Sequence, residues 1–151
     1  DSIRSPSWAD GLLLVPGKEF MALRPKRDGS SPEVVWKSNK MQATYATPVY
    51  YQGKVYALTN QSVNAIDGAS GKLLWQERVT GPFSASPVVA DDKIYVVNEK
   101  GRIFVLQTGE QSKILGTGDL DDVILATPAI ADGAVFFRSD RWVYCFQSPK
   151  K

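Results

Sequence analysis

Apolar residues in this chain recur with a period of two, in short runs broken by turn residues, and no run keeps a 3.6-residue period or carries good helix caps. Four segments repeat one pattern: SPSWADGLLLVP from Ser5, TPVYYQGKVYAL from Thr47, SPVVADDKIYVV from Ser86 and TPAIADGAVFFR from Thr127. Each predicts a β-hairpin, in which a Ser/Thr-Pro pair opens a short apolar strand and a two-residue turn leads into an alternating one. The turn pairs are Asp10-Gly11, Gln52-Gly53, Asp91-Asp92 and Asp132-Gly133. Residues of this kind tolerate the positive φ that tight primed turns require. A third strand follows in every copy: KEFMAL from Lys18, SVNAID from Ser62, GRIFVL from Gly101 and RWVYCF from Arg141. A fourth follows in three: EVVWK from Glu33, KLLWQ from Lys72 and SKILG from Ser112.

The prolines that open the copies, Pro6, Pro48, Pro87 and Pro128, stand 42, 39 and 41 residues apart. Four-stranded antiparallel units at a period near forty residues describe β-propeller blades, which cannot bury both faces alone and so stack on one another. The predicted fold is therefore all-β: one propeller segment over residues 1–151, with blades over about 5–40, 41–79, 80–119 and 120–151 and no fourth strand in the last.

Composition narrows the chemistry. Lys and Arg number 18 against 16 Asp and Glu, and no basic run tracks a phosphate backbone, so nucleic acid is not an expected partner. No apolar stretch is long enough to span a membrane. The chain has no His and one Cys, Cys145, so neither an internal disulfide nor a histidine-bearing zinc site is available. The opening Asp-Ser-Ile-Arg has neither an initiator Met nor a leader pattern and reads as an internal boundary.

In the second copy, AIDGASGKLLW over residues 65–75 places Ala65, Asp67, Ser70, Gly71 and Trp75 in the spacing of a tryptophan-docking motif. It resembles the motif of the quinoprotein-like propeller family, the repeats of pyrroloquinoline-quinone dehydrogenases. The resemblance implies that Asp67 and the glycines form a tight turn while Trp75 packs on the adjacent blade. The other copies drift. Ala22 and Trp36 are separated by a longer turn; Val105, Gln107 and Leu115 fill the alanine, aspartate and tryptophan positions of the third copy; Cys145 and Gln147 begin the fourth. Similar propellers include the dehydrogenases, BamB-type lipoproteins of outer-membrane assembly and secreted bacterial proteins. Members with seven or eight blades make this chain read as roughly a C-terminal half.

What the resemblance implies about function is a non-catalytic scaffold that binds protein, on the periplasmic, cell-envelope or secreted side of a bacterium. Quinone catalysis in the family uses an aspartate base, a calcium ion and often a disulfide between adjacent cysteines. Adjacent cysteines are absent and nothing outside the repeat matches a base or calcium motif, so no catalytic residue, cofactor or metal is assigned. The alternative is part of a quinone- or calcium-dependent dehydrogenase whose reactive residues lie outside this sequence. Asp119, Asp121 and Asp122 could gather calcium, but read as turn residues. Cys145 aligns with Ala22, Ala65 and Val105 and is expected to be buried; Trp8, Trp36, Trp75 and Trp142 are expected to pack in the core or between blades. The loops entering the first strands and joining the second and third lie on one face and carry Tyr45, Phe83, Asn60, Gln61, Lys100, Arg138 and Asp140. Tyr45 and Phe83 form either a partner surface or a plug near the ring axis. Because the end blades lack neighbours, two copies are expected to associate and complete an eight-bladed ring.

Overall fold

The computed structural model describes residues 4–41 and 45–147. Its fifteen strands form four antiparallel sheets, each in simple chain order. The first blade comprises β1 (Ser7–Ala9), β2 (Leu12–Val15), β3 (Phe20–Arg24) and β4 (Glu33–Ser38). The second comprises β5 (Val49–Tyr51), β6 (Lys54–Leu58), β7 (Ser62–Asp67) and β8 (Leu73–Arg78). The third comprises β9 (Val88–Ala90), β10 (Lys93–Val97), β11 (Arg102–Gln107) and β12 (Ile114–Asp119). The fourth has three strands, β13 (Ala129–Ala131), β14 (Ala134–Arg138) and β15 (Val143–Gln147). This is the expected all-β propeller segment of about four blades, with a three-stranded last blade.

In every blade both central residues of the first hairpin turn have positive φ: 50° and 74° at Asp10-Gly11, 47° and 77° at Gln52-Gly53, 49° and 55° at Asp91-Asp92, 50° and 73° at Asp132-Gly133. That pair of signs is the type I′ geometry, whose twist matches the flanking strands. Successive blades are tied at these turns. Tyr50 donates its hydroxyl to the Asp10 carboxylate of the preceding blade, and Tyr51 reaches Asp92 of the following one at 3.2 Å. The bond to Asp10 favours the neutral phenol and pushes the Tyr50 pKa up to about 12.

A second tie runs along the Ser/Thr-Pro pairs. The Ser5 N–H donates to Thr47 Oγ1 (3.4 Å), Thr47 N–H to Ser86 Oγ (2.9 Å) and Ser86 N–H to Thr127 Oγ1 (3.1 Å). The hydroxyl in front of Pro48, Pro87 and Pro128 thus accepts from the blade before it.

The core lies between blades. Leu12, Leu14, Phe20, Ala22 and Trp36 of the first blade meet Val55, Ala57 and Ile66 of the second. Tyr56, Leu58, Val63, Ala65 and Trp75 of the second meet Ile94, Val96, Phe104 and Leu106 of the third. Val97 and Ile103 of the third meet Phe137 of the fourth. Strand alternation therefore sends one face of each blade backwards and the other forwards.

The same rule corrects three burial expectations. Cys145 is exposed. It pairs with Phe136 as Ala65 pairs with Tyr56, so it lies on the forward face, which no further blade covers among the described residues. Trp8 pairs with Leu13, which pairs with Leu23; this row is the backward face of the first blade, and Trp8 is 64% exposed. Trp142 falls in the turn before β15 rather than within a strand, and is 62% exposed.

Candidate interaction face and the tryptophan slots

The turn after β7 is built by Asp67. Its carboxylate accepts the Ser70 N–H at 2.8 Å and the Ser70 hydroxyl at 2.5 Å, and these bonds hold the carboxyl below the usual range. Its N–H donates to the Lys72 carbonyl and its carbonyl accepts the Gly71 N–H, closing the turn with Gly71 at φ 71°. Trp36 of the preceding blade lies on that turn. Its Nε1–H donates to the Gly68 carbonyl at 2.8 Å, and a β-carbon on Gly71 would stand 2.6 Å from the indole ring. Trp75 repeats the contact one blade further on, donating to the Gly109 carbonyl at 2.8 Å. Gly109 in turn donates its N–H to the Tyr56 hydroxyl. Each indole also meets a ring of its own blade, Phe20 at 5.6 Å from Trp36 and Tyr56 at 5.8 Å from Trp75.

Strand register explains how the indoles are aimed. In each of the first three blades the pairing of the third and fourth strands slips by one residue at the same step, after Ala22, Ala65 and Val105. Ala22 pairs with Trp36 and Ala65 with Trp75; both alanines are fully buried and leave room for the ring. In the third blade Val105 pairs with Gly116, not Leu115. The sequence alignment is corrected here by one residue. The turn after β7 closes from Asp67 to Lys72, whereas the turn after β11 closes from Gln107 to Lys113, one residue longer. Leu115 becomes the bulged residue, 45% exposed, and glycine stands at the tryptophan position.

The loop face is knitted together by backbone bonds between second-to-third-strand turns and inter-blade connectors. Gly81 donates to the Asn60 carbonyl, Val79 to Gln61, Glu99 to Pro82, Ile124 to Glu99 and Asp140 to Val123. Two buried asparagines reinforce it: Asn64 Nδ2 donates to the Lys40 carbonyl at 3.0 Å, and Asn98 Nδ2 to Thr80 at 2.8 Å. Asn60 and Gln61 are exposed and border two adjoining grooves. The larger, about 780 Å³, is also lined by Lys40, Gln76 and Arg78, residues that sequence reasoning did not single out. Their signal was strand parity, since Gln76 and Arg78 are exposed alternate positions of β8.

Lys100 and Asp140 are exposed on turns of the third and fourth blades and Arg138 is exposed at the end of β14, and none of the three lines these two grooves. Tyr45 is 61% exposed. Phe83 is 1% exposed inside the cluster between the second and third blades, so its ring belongs to the core rather than to a contact surface.

The acidic run is occupied by local bonds. Asp119 accepts the Asp121 N–H, Asp121 has φ 48°, and Asp122 accepts the Val123 N–H, the Ser139 hydroxyl at 2.7 Å and Arg141 at 3.2 Å. The Ser139 bond leads in holding the Asp122 carboxyl below its ordinary value. Among the described residues no group of three or more Asp, Glu, Cys or His side chains is placed to share a cation. No helix among them is long and apolar enough to cross a membrane.

Comparison with known proteins bears on the whole segment. The family model described as outer membrane protein assembly factor BamB matches residues 26–112 and 63–148. The chain is 28% identical over 114 residues to outer membrane protein assembly factor BamB of Salmonella typhimurium, a match covering 67% of this chain and 28% of that protein; the same figures hold for that of Yersinia pestis. It therefore spans well under half the length of these relatives. Among solved structures, BamB from Moraxella catarrhalis superposes with a TM-score of 0.75 at 18% identity, over 96% of this chain and 46% of that one. A computationally designed protein, Ika4, gives 0.78 at 9% identity, over 97% and 98%. A europium-containing methanol dehydrogenase gives 0.56 at 17%, over 76% and 24%. At such identities the structural likeness speaks of fold alone. With four sheets in propeller order, indoles docked across two blade boundaries and a family match over most of its length, this chain belongs to the quinoprotein-like propeller family described as outer membrane protein assembly factor BamB.

Proposed function

We propose that this segment is a protein-binding scaffold of the bacterial cell envelope, that it performs no catalysis itself, and that its loop face makes the contact. The observation that carries this reading is the backbone network joining turns to connectors across three blades, which holds Asn60, Gln61 and Arg78 on a fixed surface. The name of the Salmonella typhimurium relative, outer membrane protein assembly factor, supports it. So does the commitment of Asp67, Asp119 and Asp122 to turns and ion pairs. A photocrosslinking residue at position 61 should give a discrete protein adduct in cell-envelope extract, and one at Lys26, on the exposed turn between β3 and β4, should not. Equal labelling from both positions, or none from 61, refutes the loop-face reading.

The second part of the proposal concerns the ends. Trp8, Leu13 and Leu23 face backwards from the first blade as Val89, Ile94 and Leu106 face backwards onto the second. Phe136 and Cys145 face forwards from the fourth blade as Tyr56 and Ala65 do from the second. The two faces occupy complementary positions of one repeated interface, so two copies can close a ring of eight sheets, head to tail. Light scattering should return twice the 16.6 kDa chain mass. A single species at 16.6 kDa overturns the two-copy ring.

A further inference from the structure

We propose that the boundary between the third and fourth blades is a vacated indole slot, and that it binds the tryptophan side chain of a partner polypeptide. The slot is defined by register. Position for position, Leu14–Ala22–Trp36 in the first blade and Tyr56–Ala65–Trp75 in the second become Tyr95–Val105–Gly116 in the third. In the first two blades the last residue of the row is an indole that reaches across to the next blade. In the third it is glycine, and a β-carbon built there meets nothing within 4 Å. The Gly116 backbone is not in the left-handed region, so glycine is not required by the chain path.

What remains is an apolar groove of about 370 Å³, bordered by Gly116, Ile103 and Val105 on one blade and Val135, Phe137 and Phe146 on the next. That volume falls in the range of about 300–1,000 Å³ typical of ligand sites. Its lining shares features with the second blade's indole site: aliphatic side chains from the neighbouring blade and an aromatic ring of the same blade, here Tyr95 in the place of Tyr56, to which the next blade adds Phe137 set edge-on to Phe146 at 5.9 Å. Phe146 is 48% exposed although it sits on the backward face, where its counterparts Ile66 and Leu106 are fully buried. Two things set it apart from them: no indole reaches it from the third blade, and no fourth strand pairs with β15 among the described residues. Along the open side runs β12, whose residues are nearly all exposed, so the groove can be entered from the outside of the blade.

The occupant follows from the two filled copies. In both, the group that seals a blade boundary is an indole delivered by a polypeptide strand along the outer edge of a blade. A tryptophan on an extended partner segment lying beside β12 would meet the apolar part of those surroundings, with Val135, Phe137 and Phe146 of the next blade facing its ring. Aliphatic side chains would leave much of the groove empty, and an anionic one would meet the Asp119 carboxylate among its lining residues.

N-acetyl-tryptophanamide is the probe. With the 151-residue chain, titration should shift the NMR signals of Val105, Val135 and Phe146 in a saturable way, with millimolar affinity, while N-acetyl-leucinamide shifts them far less. Gly116→Trp should fill the slot from within: the probe no longer binds, and the new indole emits as a buried one. Gly116→Ala should leave binding intact. Saturable shifts that vanish in Gly116→Trp support the slot. Absence of shifts in the unsubstituted chain overturns it, and so does binding that survives Gly116→Trp. Equal response to the leucine probe would show a general apolar surface and overturn the indole assignment. Because the first titration needs no variant, a failure of Gly116→Trp to fold leaves the proposal open to refutation.

Discussion

Gly71→Ala isolates the contribution of blade docking, because the structure supplies its own controls. Gly11, Gly71 and Gly133 share φ values of 74°, 71° and 73°. A left-handed backbone costs a non-glycine residue about 1–2 kcal/mol, offset by about 0.4–1 kcal/mol from the stiffer unfolded chain, so Gly11→Ala and Gly133→Ala should each lose about 1 kcal/mol. Neither has anything within 4 Å of the new methyl. At Gly71 the methyl would lie 2.6 to 2.9 Å from three atoms of the Trp36 ring, which is 7% exposed and cannot retreat into solvent without leaving its site. Displacement forfeits the bond to Gly68, about 0.5–1.5 kcal/mol, and part of the tilted contact with Phe20, about 0.5–1.5 kcal/mol. Gly71→Ala should therefore cost about 2–4 kcal/mol. Urea unfolding followed by circular dichroism measures all three variants. In a Trp36→Leu background the excess at Gly71 should fall to the control value, as a double-mutant cycle requires. Equal losses at Gly11, Gly71 and Gly133 in the unsubstituted chain would refute the docking argument.

Further expectations rest on single contacts. Trp75→Phe keeps an aromatic ring but removes the donor to Gly109, and should cost about 1–2 kcal/mol in the same urea assay, with Gly109 amide exchange accelerated. The Ser7 hydroxyl is buried without a hydrogen-bond partner, at a position filled by Val49, Val88 and Ala129 in the other blades; Ser7→Ala should stabilise by about 1 kcal/mol, read as a higher urea midpoint. Tyr50 is raised to about 12 by its bond to Asp10, so its stabilising contribution is whole below pH 10 and is lost as pH rises from 10 through about 12. The difference in absorbance titration at 295 nm between the unsubstituted chain and Tyr50→Phe should show a group titrating near 12; one titrating near 10 contradicts the bond. Asp122 is depressed, so its contribution is present above the unfolded carboxylate value near ~3.9 and lost as pH falls through the folded one. The destabilisation by Asp122→Asn should accordingly shrink between pH 5 and about 2, and a constant difference would contradict the assignment.

Much of the fold was legible because its determinants are local. Alternation and Asp-Gly, Gln-Gly or Asp-Asp turns define each hairpin within a dozen residues, and all four turns have positive φ at both central residues. The turn of Asp67, Ser70 and Gly71 is likewise written in adjacent residues, whose side-chain and backbone bonds need no distant partner. The loop face was legible in part: Asn60 and Gln61 stand where the turns place them, whereas Phe83 looked like a loop aromatic and is core, because two blades close over the connector that carries it.

Burial of the repeat's equivalent positions was another matter. Ala22, Ala65 and Cys145 hold the same place in their strands, yet two are sealed and one is open, since sealing is done by the next blade and none follows the fourth among the described residues. Leu115 and Gly116 show the limit most sharply. Both can be counted ten or eleven residues from Val105, and a turn longer by one residue decides which of them takes the tryptophan position. The sequence by itself determined strands, turns and their forty-residue rhythm, because hydrogen-bonded hairpins depend on neighbours in the chain. Tertiary structure alone decided which faces are covered and where an indole is missing, because those depend on neighbours in space.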